Sequence, residues 1–132
     1  MPVYDILAST DYDSLSPPQK QAQLVLFYSN EIFNGGHLQY FHNHGLARAD
    51  ALLAALAALG AAGHRAIFAE ALAYARAHPV EQVNSLEDYS ERASEQEFRR
   101  WDDLYYAIEP DLCQGPLDDF VLANLGDFAI ID

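Results

Sequence analysis

Apolar residues recur at helical spacing through most of the 132-residue sequence, strand-type alternation is nearly absent, and most prolines and glycines fall between the periodic stretches. Together these predict an all-α fold, a single-domain compact bundle of five to seven helices over residues 1–132, with short loops placing neighbours antiparallel. A chain of this length has room for one core, and an apolar content of 51% is that of an ordinary globular domain.

Residues 1–15 read as an N-terminal extension. Ser16 followed by Pro17 marks a helix start, a hydroxyl N-cap and then a proline where no N–H is needed. This helix is expected to run to about Phe33. Leu24 to Tyr28 are apolar on every face, so it should be central and buried. Asn34-Gly35-Gly36 should end it, because glycine accepts the left-handed backbone of a helix terminus. A short element, His37 to His44, follows and stops at Gly45.

An αα-hairpin comes next. Leu52, Leu53, Leu56 and Leu59 line a helix over about 47–59, Gly60 to Gly63 make the turn, and His64, Phe68, Ala71, Leu72 and Ala75 line a helix over about 64–77. Pro79 ends it, and residues 79–90 form a polar connector. Ser90 or Ser94 can cap the following helix, with Glu97 three residues after Ser94 as in a capping box. Phe98, Trp101, Tyr105 and Ile108 form one face of that helix. Pro110, Gly115 and Pro116 then interrupt the chain, and Leu117, Phe120, Val121, Leu125 and Phe128 form the face of a last helix.

The charge is lopsided, with 20 acidic against 7 basic residues and a net of −13. Residues 1–80 hold 6 acids (Asp5, Asp11, Asp13, Glu31, Asp50, Glu70) and 4 bases (Lys20, Arg48, Arg65, Arg76), so almost all of the excess lies beyond them. That second part also holds Phe98, Trp101, Tyr105, Tyr106, Phe120 and Phe128, which a disordered acidic tail would lack. It reads as folded structure with an acidic coat. Such a charge argues against direct contact with nucleic acid or anionic membranes and favours a basic protein partner. No apolar run is long enough to span a bilayer, and Met1 to Asp5 do not resemble an export signal, so the expected location is the cytoplasm.

Catalytic and metal signatures are weak. His37, His42 and His44 are close in sequence, but spacings of five and two do not stack ligands on one helix face. The doublets Glu87/Asp88, Asp102/Asp103 and Asp118/Asp119 point about 100° apart on a helix, so neither member of a pair converges on one substrate atom with the other. The lone Cys113 lies in an acidic stretch that disfavours a thiolate. No metal, cofactor or catalytic residue is expected. The acidic coat is the candidate binding surface: Glu95, Asp102, Asp103, Glu109, Asp111, Asp118, Asp119 and Asp127. Carboxylates at helical spacing on neighbouring helices can imitate rows of DNA phosphates.

Asn34 to Asn43, N-G-G-H-L-Q-Y-F-H-N, resembles the N-G-G-x-x-Q-Y/F-F/Y-x-N signature of the bacterial DNA-mimic protein family and its uncharacterised relatives. Trp101 to Tyr106, W-D-D-L-Y-Y, is similar to a second family region, and the likeness covers about residues 20–128. The resemblance implies an all-α fold. For the named branch it also implies a dimeric acidic mimic of DNA that holds a DNA-binding regulator off its operator. Asn34, Gly35, Gly36, Gln39 and Asn43 are expected to be structural, the first three shaping a turn and the two amides satisfying loop backbone groups. Three functions follow in order: a non-enzymatic acidic binding protein of the DNA-mimic kind; an immunity-type inhibitor of a toxin such as a basic nuclease; and a metal protein or enzyme using His37, His42 and His44.

Overall fold

The computed structural model describes residues 2–78 and 97–128. These form α1 (Pro2–Ser9), α2 (Pro17–His44), α3 (Ala49–Ala58), α4 (Ala62–Ala77), α5 (Arg99–Ala107), α6 (Asp118–Ala123) and α7 (Leu125–Phe128). A 3-10 turn at Tyr12–Ser14 and a π-turn at Cys113–Leu117 link them, and there is no strand among the described residues. The chain is all-α.

Helix α2 is the axis of the bundle, packing against α1, α3, α5, the π-turn and α7, while α4 packs on α3 and α5. It begins where the sequence places it. Ser16 Oγ accepts from the Gln19 amide, and Gln19 Oε1 accepts in return from the Ser16 amide at 2.9 Å, a complete capping box. Leu24, Val25, Leu26 and Tyr28 are all buried, as expected of a helix with no polar face.

Its far end follows expectation. Gly36 leaves the helical region, at φ +79°, ψ −169°, so α2 is two helical segments joined by a sharp kink at the double glycine, and the second segment stops at Gly45. Residues 37–44 fold back onto the core, with Leu38, Tyr40 and Phe41 buried.

The α3–α4 hairpin turns at Gly60, φ +72°, and buries Leu52, Leu56, His64, Phe68, Ala71, Leu72 and Ala75. The connector and the caps proposed at Ser90 and Ser94 lie outside the described residues. Glu97 accepts a 2.6 Å hydrogen bond from the Tyr74 hydroxyl.

Two segments were read differently from sequence. Residues 2–9 form a helix that is built into the fold. Leu7 is fully buried, and buried Gln23 donates to the carbonyls of Leu7 (2.8 Å) and Thr10 (2.7 Å), satisfying the open end of α1. The last helix is broken at Asn124, whose side chain donates to the Phe120 carbonyl and competes with the helix ladder. Leu117, Val121 and Phe128 stay in the core, but Leu125 turns outward with 58% exposure.

At Gly36 an alanine would meet two penalties, a backbone region open essentially to glycine alone and a methyl group colliding with the Asp102 carboxylate. At Gly60 the space is open and only the backbone penalty applies. Urea unfolding should show Gly36→Ala losing about 2–4 kcal/mol and Gly60→Ala about 1 kcal/mol.

Candidate functional site

The bend at Gly36 gathers the sequence motif and the acidic helix α5 into one polar cluster. Asp102 sits at its centre. One oxygen, Oδ1, accepts from the His37 backbone N–H at 2.8 Å and contacts His37 Nδ1 at 2.6 Å. The carboxylate can only accept, which fixes the proton on Nδ1. In the neutral imidazole, Nε2 then accepts from the Tyr28 hydroxyl, 2.7 Å away. His37 has no solvent exposure, and the Asp102 side chain is 24% exposed.

This relay has the elements of an acid–base triad without access for a substrate. Tyr28 is completely enclosed, and its ring meets those of Tyr40, Phe68 and Tyr105 edge-on at 5.0–5.6 Å. Burial raises the Tyr28 phenol far above the ordinary tyrosine range, so it stays a neutral hydrogen-bonding group. Tyr105, packed edge-on against Tyr28, makes a separate hydrogen bond by donating to buried Ser29 at 3.0 Å.

The remaining motif residues stitch the two halves of α2 across the bend. Asn43 donates to Glu31 at 2.6 Å, so its amide serves a side chain where a loop backbone group was anticipated. His44 stacks on Tyr40 at 5.0 Å and lies 3.7 Å from the same Glu31. Gln39 lies over Gly35, where any side chain would collide with its amide. Asn34 is exposed beside the bend.

The three histidines expected as alternative metal ligands are not brought together. His37 is committed to Asp102 and Tyr28, His44 is stacked on Tyr40, and His42 is exposed. Among the described residues no group of three or more His, Cys, Asp and Glu side chains is placed to hold a metal ion. Cys113 is partly buried, and that burial raises its thiol above the usual range.

The expected acidic surface divides by use. Asp102 is turned inward. Asp118 accepts from the Tyr4 hydroxyl, which pins α1 to α6. Asp111 caps the π-turn by accepting from the Cys113 and Gln114 amides at 2.8 and 2.9 Å. Asp103, Glu109, Asp119 and Asp127 are exposed, with Asp103 3.6 Å from Arg99. Glu95 lies outside the described residues. Sequence reasoning missed Tyr28 and the inward role of Asp102. His37 beside the double glycine was the available signal, and its partner 65 residues away was not.

Among the described residues the chain is all-α, its buried polar side chains serve the fold, and its exposed carboxylates lie on the C-terminal helices. The family comparison places it further. Residues 13–124 match the model of the DMP19-like proteins, and the chain belongs to this DNA-mimic protein family. No curated protein and no solved structure gives a significant match. The matched region starts after α1, yet α1 is packed against α2.

His64 provides a pH test of the packing of α4 against α5. It is buried in contact with Tyr105, and its Nε2 has no hydrogen-bond partner among the described residues. Burial lowers its pKa, as it does for His44. The unfolded chain therefore binds more protons as the pH falls below about 6.5, and stability must fall with it. Thermal melts should show a loss of stability from pH 7 to pH 5.5 that is smaller in His64→Leu than in the parent chain.

Proposed function

We propose that this chain is a non-enzymatic acidic binding protein, a DNA mimic that occupies the basic DNA-binding surface of a regulator or other DNA-binding protein. The observation that carries this reading is the set of outward carboxylates on a folded region. Asp103, Glu109, Asp119 and Asp127 are exposed, and Arg99 and Arg100 are the only bases in residues 97–128. Glu95 belongs to the same proposed surface by sequence, and the structurally engaged Asp102, Asp111 and Asp118 add charge to the same region.

Membership of a DNA-mimic family supports the choice of a DNA-binding partner over basic proteins in general. Long-range attraction between such a surface and a basic partner raises the association rate and suppresses acidic competitors. A dimer acting in the cytoplasm, free of direct nucleic-acid and membrane contact, completes the proposal. No helix among the described residues is long and apolar enough to cross a membrane.

The test uses the whole chain as bait in extract of its host. A DNA-binding protein should be retained at 50 mM salt and largely released by about 200 mM, as DNA itself would be. Duplex DNA carrying that protein's site should displace it from the bait. A complex that ignores both salt and DNA contradicts the proposal, and recovery of a toxin nuclease in its place assigns the immunity role.

A further inference from the structure

Where α2 bends, its first half presents a cavity of about 420 Å³ between that helix, the end of α5 and the π-turn. Phe33, Tyr105 and Tyr106 form its aromatic side, and Glu109, Asp111 and Gln114 supply polar groups. We propose that this cavity receives an arginine side chain of the basic partner, so that one anchored guanidinium fixes the position of an otherwise diffuse electrostatic contact. The proposal rests on the acidic-binder reading and deepens it.

Four features argue for that occupant. First, the aromatic side is exposed and yet held in place. Phe33 and Tyr106 are 53% and 50% exposed. Their centroids are 5.6 Å apart, and the Tyr106 hydroxyl donates to the Ile32 carbonyl at 2.8 Å, fixing the ring before any partner arrives. Aromatic faces attract cations, and guanidinium stacks on them best.

Second, the lining contains two carboxylates and no lysine, arginine or histidine. Asp111 is already positioned by the Cys113 and Gln114 amides, while Glu109 is exposed. Third, the cavity lies at the C-terminal end of the straight part of α2, where the helix dipole is negative and favours a cation. Fourth, the volume of about 420 Å³ leaves ample room for one arginine side chain.

The experiment titrates the full chain with a hexa-arginine peptide by calorimetry at 50 mM salt, beside hexalysine. Hexa-arginine should bind more tightly than hexalysine by about 3-fold, because only guanidinium stacks. Phe33→Leu keeps an apolar side chain and removes the ring. Glu109→Gln removes one pocket charge, and Asp119→Asn removes one charge outside it. The first two should each weaken hexa-arginine by about 3- to 10-fold, and the third by less than about 2-fold.

Equal losses in Glu109→Gln and Asp119→Asn, with none in Phe33→Leu, overturn the cavity while leaving the acidic binder standing. Absence of hexa-arginine binding by the parent chain overturns both. Sedimentation showing a dimer that Phe33→Leu dissociates assigns the cavity to a second copy and also overturns the proposal. Should Phe33→Leu fail to fold, the glutamate and aspartate pair still decides.

Discussion

One carboxylate oxygen holds the bend of the central helix. Gly36 turns α2 through a backbone conformation that leaves the His37 amide without a helical partner, and Asp102 on α5 accepts from that amide and contacts the His37 ring. Leaving these donors buried and unpaired would cost several kcal/mol, more than any surface charge pair contributes. The bend, in turn, allows residues 37–44 to return along the core and bring Tyr40 and Phe41 against Phe68. Tyr28, Glu31 and Ser29 on the straight half each reach across to His37, Asn43 and Tyr105. The aromatic cluster exists because this polar junction places its rings.

The same junction sorts the carboxylates of the C-terminal part. Asp102 and Asp103 are adjacent in sequence and opposite in use, because successive helix positions point about 100° apart. One enters the core network, and the other meets Arg99 at the surface. Asp111 and Asp118 are drawn into a turn cap and an interhelix tie. Among the described residues Asp103, Glu109, Asp119 and Asp127 stay outward, and Glu109 lies beside the exposed rings of Phe33 and Tyr106.

Much of the fold was legible in the sequence because helices advertise themselves locally. Ser16-Pro17, the Leu52/Leu56 stripe and the His64–Ala75 stripe each depend on neighbours within a few turns, and each emerges in place. Less legible were features that depend on distant partners. Helix α1 is short, and its burial depends on Gln23 and Asp118, which its own sequence does not announce. The break at the double glycine was itself legible, because a positive φ is a local requirement, whereas the partner that takes up the His37 amide beyond it, Asp102, lies 65 residues on. Leu125 fits the apolar stripe by spacing, and only the break at Asn124 turns it away. For the site, acidity was visible in composition, but which carboxylates the fold consumes was not.

The central claim, that Asp102 is a structural acceptor while its neighbour belongs to the outer coat, is tested most directly by comparing Asp102→Ala with Asp103→Ala in equilibrium urea unfolding. Both changes remove one negative charge from α5 and give the helix the same new residue. Asp102→Ala should lose about 2–4 kcal/mol, the cost of leaving the His37 amide and imidazole unpaired in the interior. Asp103→Ala should change stability by no more than about 0.5 kcal/mol. Equal, small effects at the two positions would contradict the structural role of Asp102.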